Sequence, residues 1–270
     1  RRLRRDQEAD AERPFWLSKS LHLAIHQTLE QKEQVALFLN RRGIAQVALC
    51  ESCGLRFECP NCAITLTVHG RKHLVCHYCD FTQALPEHCP QCNSDEVRPL
   101  GLGTELVEDD MRRLFPEARI ARADRDEISS REALEELIRA VEHREIDVLI
   151  GTQMIAKGLD FPGLTLVGLV LADVGLSMPD FRACERSFQL ITQVAGRAGR
   201  HSKLPGRVIV QTYNPTHTSI VSAGLQNFSL FAAEELKSRQ ELHYPPYSRL
   251  ALVRIQGTSL AKGEEAALKL

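Results

Sequence analysis

No apolar run in this 270-residue chain approaches the roughly 20 residues that a bilayer-spanning helix requires. The opening Arg1-Arg2-Leu3-Arg4-Arg5 lacks the apolar stretch of a secretory signal. An excess of one charge sign is missing as well: 34 Lys and Arg stand against 35 Asp and Glu. That balance excludes a uniformly basic nucleic-acid coat and leaves polyanion contact to local patches such as Arg41-Arg42, Arg71-Lys72-His73 and the stretch from Arg197 to Arg207. Nor is there a G-x-x-x-x-G-K-[ST] loop, so the chain has no backbone cradle of that kind for nucleotide phosphates.

What is present begins with apolar material: 43% of the residues are hydrophobic, enough for one large or two modest domains. The expected setting is the cytoplasm. The chain starts on Arg and stops at Lys269-Leu270 inside a helical pattern begun near Ser259, and is read as a fragment.

Nine cysteines in a chain this long do not suggest a disulfide scaffold, because eight of them lie between Cys50 and Cys92 as four C-x-x-C pairs. The pairs are Cys50/Cys53, Cys59/Cys62, Cys76/Cys79 and Cys89/Cys92, the ligand number for two tetrahedral zinc sites of four thiolates each. Between the middle pairs, Ile64–Val68 and His73–Val75 alternate around Gly70, which predicts a β-hairpin. A hairpin returns the chain to its origin. The expected arrangement is therefore nested, with an inner site of Cys59, Cys62, Cys76 and Cys79 and an outer site of Cys50, Cys53, Cys89 and Cys92. Four thiolates leave no open position, so both sites are expected to be structural. His69, His73, His77 and His88 are read as surface residues, and Phe57, Tyr78 and Phe81 as either module core or base-stacking platforms.

Outside this block, strands alternate with helices. Helices are expected from Ser20, over 105–115, 130–143, 179–194, 219–225 and 230–242. Strands are expected at Val35–Leu39, 118–121, 147–151, 164–171, 208–212 and 249–255. This alternation implies an α/β domain whose parallel sheet is covered on both faces, with functional loops at strand carboxyl ends. The residues divide into a solvated linker over 1–18, a lobe over 19–49 and 94–214, an inserted zinc-binding module over 50–93, and a helical connection with the start of a further α+β domain over 215–270.

Two segments carry chemistry. Asp147–Gly151 reads as a buried strand running into Thr152-Gln153-Met154-Ile155-Ala156-Lys157-Gly158-Leu159-Asp160, with small residues for close approach and an acid to accept a hydrogen bond. Farther on, Gln193-Val194-Ala195-Gly196-Arg197-Ala198-Gly199-Arg200 sets two guanidinium groups three residues apart, a spacing that suits phosphate oxygens. In this order the segments resemble motifs V and VI of superfamily 2 helicases. Asp173, Pro179-Asp180-Phe181-Arg182-Ala183, Glu185-Arg186, the cysteine block, Gly101-Leu102-Gly103-Thr104-Glu105 and Tyr244-Pro245-Pro246-Tyr247 narrow the resemblance to the PriA family of replication-restart helicases.

The resemblance implies a RecA-like second helicase lobe with an inserted two-zinc, zinc-ribbon-like module, part of an ATP-dependent 3′ to 5′ DNA helicase acting at stalled forks and D-loops in a bacterial nucleoid. It further implies Arg197 and Arg200 as catalytic groups reaching the γ-phosphate, Gly158, Asp160 and Gln193 on the nucleotide side, and Asn40, Arg41, Gly103, Thr104, Thr152 and Gln153 on the DNA backbone. Asp173 is read as an interlobe coupling residue. Two structural zinc ions are the implied cofactors, with ATP and Mg2+ requiring the missing first lobe. Implied partners are branched and single-stranded DNA, primosome proteins such as PriB and DnaT, and single-strand binding protein. The rival readings are a non-catalytic zinc-dependent docking module and another superfamily 2 translocase, such as one related to RecG.

Overall fold

A computed structural model describes residues 13–14, 16–39, 47–69, 73–100, 102–124, 127–128, 130–152, 163–196, 198–199, 205–251, 253, 264–265 and 267–269. Two five-stranded sheets organise them. The first is parallel, in the order β10(Arg207–Val210), β9(Leu164–Val170), β1(Gln34–Leu39), β8(Val148–Gly151) and β7(Ile120–Ala123). β1 lies at its centre, in register with β8 through Val35↔Val148 and with β9 through Val35↔Leu166.

Every residue of β1, β8 and β9 is buried, as expected for strands covered on both faces. The two-residue period of β1 divides its side chains between two cores. Val35, Leu37 and Leu39 join Leu21 and Ile25 of α1(Lys19–Glu30) and Val107 and Met111 of α2(Thr104–Leu114). Ala36 and Phe38 join Val141 of α3(Arg131–Glu142) and Phe188 and Ile191 of α5(Ala183–Ala195), after the short α4(Ala172–Leu176). Ala223 of α6(Thr218–Gly224) and Phe231 of α7(Phe228–Glu241) extend the second core.

Trp16 and Leu17 are fully buried in the first core, although the charged composition around them suggests a solvated linker. The reason is local. Trp16 Nε1 donates to Asp110 (2.8 Å), and Gln211 Nε2 donates to the Trp16 carbonyl (2.8 Å), which fastens the entry of α1 to the end of β10. The helix expected over 179–194 begins only at Ala183, because Asp180 accepts from the Arg182 backbone N–H and turns the chain ahead of it. Among the described residues of 249–255 no strand forms.

The second sheet is antiparallel, in the order β5(Thr82–Ala84), β4(His73–Val75), β3(Thr67–His69), β2(Val47–Cys50) and β6(Val97–Leu100). β3 and β4 form the expected hairpin, paired Thr67↔Val75, Val68↔Leu74 and His69↔His73. Pairing of β2 with β6, from Val47↔Leu100 to Cys50↔Val97, closes the base of the insertion on both sides of the cysteine block.

A partly buried histidine gives the parallel-sheet body a pH dependence. His217 caps α6 by accepting from the Ser219 N–H (3.2 Å), and burial, helped by Arg56, pulls its pKa down to about 4. The unfolded chain binds this proton near its ordinary value of about 6.5, so stability should fall as pH drops from about 6.5 toward 4. The slope should reach up to about 1.4 kcal/mol per pH unit. His217→Asn keeps a capping side chain. Urea midpoints for the two proteins should converge as pH falls through that window.

Candidate metal centres and motor face

The four C-x-x-C pairs fold into one repeated backbone design. In each, the first cysteine donates its N–H to the carbonyl five residues on: Cys50 to Leu55, Cys59 to Ile64, Cys76 to Phe81 and Cys89 to Ser94, at 2.7–2.9 Å. Its carbonyl accepts from the N–H four residues on, from Gly54, Ala63, Asp80 and Asn93, at 2.7–3.0 Å. That fourth residue is left-handed in every case, with φ of 79°, 50°, 57° and 57°. Gly, Asp and Asn accept this conformation readily, whereas Ala pays for its Cβ. Ala63→Gly should therefore raise the stability of the metal-loaded protein by about 0.5–1 kcal/mol, the left-handed penalty less the added chain entropy. Thermal melting of the loaded protein tests this, and a lower melting temperature would contradict it.

The structure brings the eight thiols together as Cys50, Cys53, Cys89 and Cys92, and as Cys59, Cys62, Cys76 and Cys79, all sulfur atoms of a group within 4.8 Å. Sulfur separations of 3.6 Å for Cys50–Cys92 and Cys53–Cys89 and 3.5 Å for Cys59–Cys79 are far too long for disulfides. They are close to the ~3.8 Å edge of a tetrahedron with metal–sulfur bonds of about 2.3 Å. Both groups thus fit zinc, with every ligand position taken by sulfur. The thiols also show why an ion belongs there. Burial pushes Cys53 up to about 12 and Cys62 still higher, with neighbouring thiols adding to both shifts. A backbone N–H at Phe81 draws Cys79 down to about 7. A cation removes this conflict by holding all four as thiolates.

The module rests on the parallel-sheet body at defined points. Gly54 lies against the Tyr213 backbone, where a Cβ would stand 2.9 Å from the carbonyl oxygen. Arg56 donates to the Leu176 carbonyl (3.1 Å), and Tyr244 Oη donates to the Cys62 carbonyl (2.7 Å). Phe181 stacks on Tyr244, centroids 5.1 Å apart, with the Arg239 guanidinium 5.1 Å from the Phe181 centroid. Phe57 is buried in the module core and Phe81 packs beside it, while Tyr78 is 45% exposed and sets its ring edge-on to Tyr244, centroids 6.5 Å apart.

The motor candidates fall at two ends of the parallel sheet. Thr152 is buried directly after β8, at its carboxyl end. Gly103 and Thr104 open α2 at the same end, where the Thr104 hydroxyl donates to buried Asp124, one residue past β7. Gln193 is exposed near the end of α5. The Gly199 N–H just beyond donates to the carbonyl of Leu164, the first residue of β9, which puts this loop at the amino end. The candidate loops therefore lie at both ends of the sheet.

Asn40, Arg41, Gln153, Gly158, Asp160, Arg197 and Arg200 lie outside the described residues. The immediate neighbours of the two arginines are nonetheless held: Gly206 lies against the Ala198-Gly199 backbone, where any Cβ would overlap it. Asp173, read as an interlobe coupling residue, turns inward. It is buried and accepts from Thr212 Oγ1 (3.0 Å) and the Tyr213 N–H (2.9 Å), tying α4 to the chain beyond β10, and burial raises its pKa. Periodicity could not reveal this bond across 40 residues of chain.

Known families match the same two bodies. Residues 59–83 match the family model described as the PriA DNA helicase Cys-rich region (CRR) domain, and residues 104–202 match the helicase conserved C-terminal domain. The chain is 45% identical over 247 residues to the replication restart protein PriA of Bacillus subtilis, covering 91% of this chain and 31% of that protein. It is 46% identical over 252 residues to the PriA of Treponema pallidum, covering 93% and 38%. Over nine-tenths of its length the chain is similar to one segment of these PriA proteins. It spans about a third of the length of these PriA relatives, and the segment it spans joins a helicase C-terminal lobe to a cysteine-rich module. Among the described residues no helix is long and apolar enough to cross a membrane.

Proposed function

We propose that this segment is the second motor lobe of an ATP-dependent 3′ to 5′ DNA helicase that restarts replication at stalled forks and D-loops. The observation that carries the reading is the combination of two four-cysteine groups with a helicase-type parallel-sheet body that holds them through Gly54, Arg56 and Tyr244. In this reading the lobe comprises 19–49 and 94–214, the module 50–93, and 215–270 leads into a further domain. Each cysteine group holds one structural zinc.

Nucleotide is bound between this lobe and a phosphate-loop lobe, which supplies the cradle and the magnesium site. Arg197 and Arg200 approach the γ-phosphate from the amino-end loop after α5, with Gln193 beside them, while Gly158 and Asp160 line the nucleotide side of the connection from β8 to β9. Thr152 follows the carboxyl end of β8 and Leu164 opens the amino end of β9, which supports a reading in which the residues between them join the proposed DNA side to the proposed nucleotide side. Asn40, Arg41, Gly103, Thr104, Thr152 and Gln153 take DNA phosphates, although the Thr104 hydroxyl is itself engaged by Asp124. Branched and single-stranded DNA, single-strand binding protein and primosome proteins such as PriB and DnaT are the proposed partners, in the bacterial cytoplasm and nucleoid.

The chain alone should show no ATP turnover, with or without DNA, because it has no phosphate-loop sequence. A phosphate-release assay on the purified chain checks this. Robust DNA-stimulated turnover that disappears on Arg200 substitution would sink the assignment to a half-motor.

A further inference from the structure

The hairpin between the two pairs of the inner site carries histidines that neither cysteine group uses. His69 ends β3, His73 opens β4 and His77 follows Cys76 directly; all three are exposed. The His69 and His77 rings stand 5.1 Å apart between centroids, tilted by 56°. Their Nε2 atoms are 3.3 Å apart. Two nitrogens bound at about 2.0–2.1 Å to one tetrahedral ion are separated by about 3.3–3.4 Å. A neutral imidazole can donate to another, but one hydrogen bond between two exposed rings gains little against the side-chain order it demands. His73 stands directly opposite His69 in the ladder. Opposed residues hold their Cβ atoms about 4.5–5.5 Å apart on one face of the sheet. His73 is not grouped with the pair in the structure, and reaching it requires a side-chain rotation.

We propose that His69, His73 and His77 form a third metal site, which takes a borderline transition-metal ion such as Zn2+ or Ni2+ through imidazole nitrogen. It differs in kind from the two cysteine sites. Three imidazoles leave a fourth position open to water or an exogenous oxygen ligand, so this ion exchanges where the thiolate-bound ions do not. The cysteine groups also prepare it. Cys62 and Cys76 bracket the hairpin, and the ladder between β3 and β4 fixes the spacing of His69 and His73.

The test uses the whole chain with zinc at both cysteine sites and Ni2+ as the probe. Calorimetry and metal analysis should show one further equivalent of Ni2+ bound, with zinc content unchanged. His69→Gln and His77→Gln should each weaken Ni2+ binding at least tenfold, His73→Gln should weaken it less, and His88→Gln should leave it unchanged. Should His77→Gln disturb the adjacent Cys76 ligand, its zinc content will show it, and His69→Gln, at the end of β3, still decides. Absence of a further equivalent, or full Ni2+ affinity in His69→Gln, overturns the site; full affinity in His73→Gln overturns the three-histidine set.

Discussion

Removing both metal ions should unfold the antiparallel sheet while the parallel sheet stands. The antiparallel sheet is built from strands of three and four residues. Its buried core is small: Ala48, Phe57, Ile64, Leu66, Val68, Leu74 and Tyr244, together with Cys59 and Cys76. Such strands do not stand alone in water, and apolar burial on this scale does not offset the chain entropy of ordering nearly fifty residues. Zinc held by four thiolates contributes on the order of 10 kcal/mol to folding. The parallel sheet draws on two cores of its own, and no metal group lies in either. Hydrogen exchange after chelation reads the difference residue by residue. The N–H groups of Cys50, Cys59, Cys76 and Cys89, each bonded within its own knuckle, should lose protection, while those of β1 and β9 keep it. Undiminished protection of the four cysteine amides in metal-free protein would contradict the structural role of the ions.

The second large effect is expected from Arg200→Ala in a protein that also carries a phosphate-loop lobe. A guanidinium that reaches across a cleft acts mainly on the charge that develops as the phosphoryl group transfers, while the phosphate loop and magnesium hold the ground state. The substitution should lower kcat by a factor on the order of 10³ or more and leave nucleotide affinity within severalfold. Arg200→Lys should recover only part of the loss, because an ammonium cannot reproduce a planar fork. Steady-state turnover and equilibrium nucleotide binding separate the two quantities. A change in affinity as large as the change in kcat would mean that the arginine binds rather than catalyses.

Most of the architecture was legible because it is written in local signals. C-x-x-C spacing and the alternation around Gly70 led to the nested cysteine groups, and the runs at Val35–Leu39, 147–151 and 164–171 led to the buried strands at the centre of the parallel sheet. What escaped depends on distant partners or on single residues. Trp16 is buried because Asp110 and Gln211 receive it, yet its neighbours are charged and its window reads as solvent-exposed. β7 starts at Ile120, two residues later than the apolar pattern suggests, because Ala118 closes a turn on Phe115 and the Arg119 backbone bonds Asp147. β2 and β6 pair across nearly fifty residues, a contact that neither sequence run announces. The inward bonds of Asp173 and Thr104 escaped for the same reason: residue type suggested a site, and only the folded chain supplied Tyr213 and Asp124 as partners.

The central claim of the proposal is a division of labour, with phosphoryl-transfer chemistry on the arginine loop and partner docking on the zinc module. It is tested most directly by the ratio of duplex unwinding to ATP turnover in the protein of full relative length. Cys59→Ser removes one ligand of the inner site, on a module that meets the body through Gly54, Arg56 and Tyr244 and lies outside both of its cores. The account predicts that Cys59→Ser keeps basal ATP hydrolysis near the unmodified level while unwinding or partner docking collapses, and that Arg200→Ala loses hydrolysis and unwinding together. Loss of hydrolysis in a folded Cys59→Ser protein, with kcat unchanged in Arg200→Ala, would contradict it.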